Sequence, residues 1–199
     1  MTVSMVLDHL YIVIFAVIIT IIVGVPIGIA AYMFKPARRA ILVTVELLQT
    51  IPAMALLGII MVFLGAGKST VVVGLLLYSL LPVVQNTYLG LSEIDPGIKE
   101  VAMGMGMARL YQLVNVEIPT AFPLIFAGIR IATVTSVGVA VFASFVGGGG
   151  IGSAIYRGIR VGNMPLIFQS TLTLMVMAVG FDMILAFFER KLQRKFSPR

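Results

Sequence analysis

A short glycine-rich stretch has the residue types that hold nucleotide phosphates. It reads Gly-Ala-Gly-Lys-Ser-Thr over residues 65–70, and Gly-Lys-Ser/Thr closes the loop whose backbone amides bind phosphate in many nucleotide-binding proteins. The same motif needs a glycine five residues before Gly67, where this chain has Val62. It also needs a strand before the loop and a helix after it. We therefore expect residues 65–70 to form a tight glycine-permitted turn that binds no nucleotide.

Few other residues could carry chemistry. The chain has no cysteine, one histidine and eight carboxylate side chains, so it offers neither a thiolate nor a histidine-based metal cluster. His9 lies at the edge of an apolar run, and we expect it to be solvated. No set of side chains resembles a nucleophile with its base, which argues against a membrane-embedded enzyme. We expect no metal and no cofactor in this chain.

The composition is that of an integral membrane protein. Of the 199 residues, 60% are hydrophobic and 11% are charged, whereas about a quarter of the residues of a soluble domain are charged. The mean hydropathy is +1.11. A globule of this size could not bury so much apolar material, so much of it must face lipid.

Five apolar runs are long enough to cross a bilayer as helices. A helix needs about 20 residues to span a hydrocarbon core of roughly 30 Å, and only internally hydrogen-bonded backbone is stable there. We predict an all-α protein with a single transmembrane domain over residues 1–199. Its five spans are predicted at about residues 10–34, 40–64, 70–88, 121–146 and 164–188.

The basic residues set the direction of these spans. With the N-terminus outside, ten lysines and arginines fall in inner segments and three in outer ones. Inner loops carry the basic excess, so we predict an external N-terminus and a cytoplasmic C-terminus in the plasma membrane. The net charge of +6 is then a matter of topology, and no nucleic-acid partner is expected. The inner residues are Lys35, Arg38, Arg39, Lys99, Arg109, Arg190, Lys191, Arg194, Lys195 and Arg199, and the outer ones are Lys68, Arg157 and Arg160.

The longest inner loop, residues 90–118, predicts two short helices that meet at a glycine corner. Asp95 followed by Pro96 is a typical helix start, and the first helix should end near Gly104 or Gly106. The loop is unusually apolar for an exposed segment. This property indicates either a protein contact or packing on the membrane surface. Its apolar residues are Val101, Met105, Leu110, Tyr111 and Val114.

This loop resembles the EAA signature of the permeases of ATP-binding-cassette importers, which is Glu-Ala-Ala, three residues, Gly, nine residues and Ile-x-Leu-Pro. The matching positions keep every spacing: Glu100, Val101, Ala102, Gly106, Val116, Ile118 and Pro119. The resemblance implies that the loop forms a coupling helix that docks into a groove on a separate ATPase subunit. ATP and Mg would then be bound by that partner. It also implies a second permease subunit, identical or similar, and an external substrate-binding protein.

Three further segments look like permeases of the osmoprotectant class, which import glycine betaine, carnitine or choline. They are residues 48–53, 81–88 and 143–152. Some members carry a fused binding domain, for which we expect no room in this chain. The alternatives are an importer of another solute, such as methionine, or an ion-coupled secondary transporter.

Three ionisable groups lie inside the predicted spans, in the half nearest the cytoplasm: Glu46, Arg130 and Asp182. Charges at that depth are costly unless they pair or line a watery path. We predict that Arg130 pairs with Asp182 or Glu46. Whether this cluster has a structural or a pathway role stays open at this point, and a secondary transporter would use Asp182 and Glu46 as ion sites.

Overall fold

The computed structural model describes residues 1–196, with side chains described as far as Lys191, and this part of the chain is helical without strands. Four helices or helical segments are long and apolar enough to cross a membrane, and a bent helix pair brings the number to five if it counts as one span. The helices are α1 (Val3–Met33), α2 (Lys35–Thr50), α3 (Ala53–Leu64), α4 (Lys68–Ser92), α5 (Pro96–Gly104), α6 (Arg109–Gln112), α7 (Ile118–Val139), α8 (Gly152–Arg160) and α9 (Met164–Phe196). A π turn, Leu113–Glu117, joins α6 to α7, and a 3₁₀ segment, Ala140–Val146, follows α7.

The run at residues 40–64, predicted to be one span, is two helices. α2 and α3 are bent by 101° at the break between them. The cause is Pro52, which has no amide hydrogen and disfavours helical backbone at the residue before it. Ile51 accordingly has an extended conformation, with φ −70° and ψ 127°.

Helix α4 lies at the centre of the bundle and packs most extensively against α1 and α7. Glycines allow this close approach. A Cβ at Gly28 of α1 would lie 2.5 Å from the Cβ of Thr87, and one at Gly128 of α7 would lie 2.5 Å from the carbonyl oxygen of Pro82. Small residues at such crossings let membrane helices pack backbone to backbone. Replacing either glycine would force α4 away from its neighbour.

His9 is buried rather than solvated, so that expectation was wrong. Its side chain is 1% exposed, and Nε2 lies 3.1 Å from the carbonyl oxygen of Val137 in the last turn of α7. α1 begins at Val3, seven residues before the apolar run, so His9 falls inside the helix and against the bundle. A histidine on the packed face of a helix can satisfy a carbonyl that water does not reach.

Candidate functional site

The loop between α4 and α7 is built around α5, whose start follows the sequence prediction. Asp95 Oδ1 accepts a hydrogen bond from the amide of Gly97 at 2.6 Å, and Pro96 occupies the first turn. The carboxylate therefore caps amides that have no partner within the helix. After α5 the chain turns at Gly106, whose φ of +75° is in the left-handed region that favours glycine. The glycine corner is a backbone feature of the fold.

The second part of the loop differs from the prediction, because it runs into α7 without a break. The amide of Ile118 donates to the carbonyl of Leu113, five residues back, which makes the turn wider than an α-helical one. A widened turn accommodates the ring of Pro119 and does not need the hydrogen bond that proline cannot donate. α6, the π turn, α7 and the 3₁₀ segment therefore form one candidate span from Arg109 to Val146.

The residues that match the EAA signature fall into three groups by exposure. Glu100, Val101 and Gly106 are exposed on the outer side of the loop. Ala102 is only 2% exposed and is the one buried residue of α5. The other three are half-buried and lie at the junction with α7: Val116, Ile118 and Pro119. Part of the motif is therefore available for contact while the rest attaches it to the bundle.

The apolar residues of this loop are exposed, as an intermolecular contact would require. Val101, Met105, Leu110 and Tyr111 each leave more than half of their surface uncovered. A groove of about 500 Å³ runs beside α5. Its lining residues are Asp95, Gly97, Ile98, Val101, Ala102, Met105 and Val116. Both expectations from the sequence, a protein contact and a membrane-surface contact, fit such a patch.

Beneath this exposed face, the loop is held by a polar junction that the sequence did not predict. Tyr32, in the last turn of α1, lies between two cations: Lys99 Nζ is 5.2 Å and Arg109 Cζ is 5.4 Å from the centre of its ring. Arg109 also forms an ion pair with Glu117, which is fully buried. The one feature of the sequence that could have indicated this junction is a tyrosine near the end of the first apolar run. Burial of Glu117 depends on tertiary packing and cannot be predicted from the local sequence.

The charges of the predicted intramembrane cluster lie partly together. Arg130 Nε donates to Asp182 Oδ1 at 2.6 Å and Nη2 donates to Oδ2 at 2.9 Å, a bidentate pair between α7 and α9. Glu46 is exposed on α2 and forms no ion pair with any described residue. Sequence reasoning missed Glu189, whose Oε2 accepts from Arg130 Nη1 at 2.9 Å. Glu189 lies seven residues after Asp182 and so on the same helical face, but the predicted span ended at residue 188.

This cluster borders an open cavity of about 340 Å³. The carboxylates of Asp182 and Glu189 both face the guanidinium of Arg130. Arg130 is held by helix α9 from two positions, which favours a fixed α7–α9 packing. The apolar residues around the cavity are Ala127, Ile131 and Val134.

The glycine-rich stretch at residues 65–70 is a turn between α3 and α4. Gly65 and Gly67 have positive φ angles of 76° and 147°. Lys68 Nζ lies 2.6 Å from Asp8 Oδ1 in an exposed ion pair with α1. The amide of Gly67 donates to the carbonyl of Val146 at 2.8 Å. Since a helix precedes this turn where a phosphate loop has a strand, the geometry is not that of a nucleotide site.

Comparison with known proteins decides the family. Residues 20–197 match the family model described as binding-protein-dependent transport system inner membrane component. The chain belongs to this family. Its members are membrane components of importers, so this protein is a multi-pass membrane permease and has no catalytic role of its own.

Several curated relatives are similar over most of their length. The permease protein OpuCB of a glycine betaine/carnitine/choline transport system of Bacillus subtilis is 39% identical over 188 residues, covering 94% of this chain and 87% of that protein. The choline transport system permease protein OpuBD of the same organism is 38% identical, with 89% and 79% covered. The osmoprotectant import permease protein OsmW of Salmonella typhimurium is 35% identical, with 98% and 92% covered.

A solved structure has the same fold. A chain of the methionine ABC transporter MetNI, in an inward-facing conformation, superimposes with a TM-score of 0.86 and covers 96% of this chain and 99% of that one. Its sequence identity is 21%. This similarity shows that the two chains share a fold, and it does not identify the solute that this protein transports.

Proposed function

We propose that this permease forms half of the translocation pathway of an ATP-driven importer for an osmoprotectant such as glycine betaine, carnitine or choline. The observation that carries the proposal is the exposed coupling loop, with Glu100 and Val101 presented outward on α5 and Gly106 at the corner. Curated relatives at 35–39% identity, named for these solutes, support the substrate class. We propose two identical or similar permease subunits, two ATPase subunits bound at the loop and an external binding protein.

In this assembly the α5 surface docks on an ATPase subunit at the cytoplasmic face. The site has exposed apolar side chains with a charged residue, Glu100, beside them, and protein contacts combine an apolar centre with polar residues at the rim. ATP and Mg would be bound by the ATPase. Closure of the ATPase pair would displace α5 and switch the pathway between inward- and outward-facing states. The N-terminus is outside in this arrangement, as the distribution of basic residues predicts.

The ion-paired Arg130 cluster has a structural role in this proposal. Two hydrogen bonds to Asp182 and one to Glu189 join α7 to α9 at one level of the bundle. Glu46, exposed on α2, does not belong to this cluster. An ion-coupled transporter would need its carboxylates free to exchange a cation, whereas Asp182 is already bound by a guanidinium through both oxygens.

Uptake by the complete transporter tests the solute and the energy source together. Cells that lack other osmoprotectant uptake would express this chain with its ATPase and binding protein, and uptake of radiolabelled glycine betaine, carnitine, choline and methionine would be compared. We expect uptake of at least one of the first three, competition among them and no competition by methionine. Uptake should stop when ATP is depleted and persist when ionophores collapse the ion gradients. Methionine uptake or dependence on an ion gradient would contradict the proposal.

A further inference from the structure

The weak packing of α5 raises the question of how its displacement reaches the membrane helices. Ala102 is its single buried residue. A helix that buries so little side-chain surface cannot move its neighbours by packing alone, because packed side chains transmit strain only where they are in close contact. Movement of α5 must therefore also be transmitted by side chains that extend from the loop into the bundle.

Lys99 provides such a route from α5. Its Nζ donates to the carbonyl of Leu91, in the last turn of α4, at 3.0 Å, and it lies over the ring of Tyr32 in α1. A cation within about 6 Å of an aromatic centre is attracted by the ring face, and the attraction grows as water is excluded. One side chain of α5 thus contacts two membrane helices.

Arg109 makes a second contact with the same ring. Its guanidinium lies over Tyr32, and its Nη1 pairs with Glu117, which is 0% exposed at the start of α7. The ring of Tyr32 packs against a buried cluster at this end of the bundle. Tyr32 of α1 therefore contacts α5 through Lys99 and α6 through Arg109, and it packs against a cluster with members on α4 and α7. The members of the buried cluster are Leu91, Ile94, Leu113, Ala121 and Ile125.

Two features of Glu117 are expected to lower the stability of the folded protein. Its second carboxylate oxygen, Oε2, is buried without a hydrogen-bond partner among the described residues. It also ends a π turn, a distortion that is frequent at functional sites. A buried carboxylate with one oxygen unpaired is less favourable than an apolar side chain of similar size, so its presence is better explained by a specific geometry.

We propose that Tyr32, Lys99, Arg109 and Glu117 form a transmission junction that converts displacement of α5 into movement of α1 and α7. This inference rests on the proposed function, in which an ATPase docks on α5. The four residues are positioning residues, since they contact neither nucleotide nor solute. Loss of the junction should leave docking and ATP hydrolysis intact while solute movement fails to follow.

The test measures solute imported per ATP hydrolysed by the complete transporter in proteoliposomes with its binding protein and radiolabelled glycine betaine or choline. We expect Tyr32→Leu to lower this ratio about fivefold or more, the lower end of the range usual for coupling between two sites. Tyr32→Phe keeps the ring that attracts both cations and removes only the hydroxyl, which faces Arg109, so it should stay closer to the wild-type ratio than Tyr32→Leu. Lys99→Met should also lower the ratio, and it decides the matter if Tyr32→Leu does not fold.

Two controls separate transmission from docking. Tyr11→Leu makes the same change at a ring near the other end of α1, which lies 5.5 Å from Lys68 Nζ and is 56% exposed, and it should leave the ratio unchanged. Val101→Asp places a charge on the docking face, so ATP hydrolysis and uptake should fall together and the ratio should again be unchanged. Because amounts of folded protein affect both quantities equally, a purely structural defect does not alter the ratio.

The outcomes distinguish this inference from the proposed function. If the wild-type complex imports none of glycine betaine, carnitine and choline at the expense of ATP, the proposed function is wrong. If it does, and both Tyr32→Leu and Lys99→Met keep the wild-type ratio, the transmission junction is wrong. A Tyr32→Phe variant as impaired as Tyr32→Leu would overturn the role assigned to the cation–ring contacts.

Discussion

The glycine corner at Gly106 gives the sharpest prediction, because a substitution there changes only the backbone conformation. Gly106 has φ +75°, and a Cβ built on it meets no heavy atom within 4 Å. Any effect of Gly106→Ala must therefore come from the cost of the left-handed conformation, which is about 1–2 kcal/mol for an L-residue with a Cβ. A cost of about 1–2 kcal/mol reduces the population of the observed corner roughly 5- to 30-fold.

The assay is binding of the ATPase subunit to purified permease variants, followed by uptake in cells. We expect Gly106→Ala to weaken binding by up to the same factor, because the loop must adopt this corner to present Val101 and Glu100. Gly106→Asn should weaken ATPase binding less than Gly106→Ala, since asparagine tolerates left-handed backbone. Gly106→Val should weaken it most, because a β-branched residue rarely adopts that conformation.

Gly104 provides the matched control two residues earlier. It also has open space around a built Cβ, but it lies at the end of α5 without a positive φ. Alanine in a helix is favoured over glycine by about 1 kcal/mol, so Gly104→Ala should leave binding unchanged or improve it. Equal effects of alanine at the two positions, or a Gly106→Asn variant weaker than Gly106→Val, would refute the backbone explanation.

Four further outcomes are expected. Lys68→Ala should leave uptake nearly intact, because an exposed ion pair contributes only about 0–1 kcal/mol. A tag at the N-terminus should react with a membrane-impermeant reagent in intact cells and a C-terminal tag should not; the reverse pattern would invalidate the orientation. His9→Leu should lower stability in detergent by about 0.5–1.5 kcal/mol, because it removes the buried hydrogen bond to the carbonyl of Val137, with His9→Gln less harmful in the same thermal unfolding measurement. Arg130→Met should lower folded yield, and adding Asp182→Asn with Glu189→Gln should partly restore it. A triple variant with no better yield than Arg130→Met alone would argue against charge pairing as the reason.

Local sequence patterns predicted the features that depend on local chemistry. Hydropathy and length gave the all-helical class, and the Asp95–Pro96 pair gave the start of α5. The pairing of Arg130 was foreseen because charges at similar depth in a bilayer seek each other, although the sequence left two carboxylates as alternatives. Helix rotation chooses between them, and it depends on how α7 and α9 pack.

The features that the sequence did not predict depend on tertiary packing or on where a predicted span ends. The 101° bend between α2 and α3 has a proline at its centre, but a proline in an apolar run is compatible with both a mild kink and a break. Glu189 lies one residue beyond the predicted span, so the span boundary does not indicate its place beside Arg130. Burial of His9 and Glu117 arises from contacts with residues distant in the chain, which hydropathy does not encode.

The contacts of α5 explain how its apolar face can stay exposed while the helix passes movement to the membrane helices, as proposed above. Asp95 caps one end, the corner at Gly106 sets the other, and Lys99 ties the middle to α1 and α4. These attachments use a cap, a backbone conformation and a cation, none of which needs the apolar face of the helix. That face is left exposed, while the side chain of Lys99 connects α5 to α1 and α4. A helix that relied on its apolar side chains for attachment would have to bury the surface that it must present. Because docking and transmission would use different residues, their variants should differ in one measurement. Val101→Asp should lower ATP hydrolysis and uptake together, whereas Tyr32→Leu should lower the amount of solute imported per ATP hydrolysed.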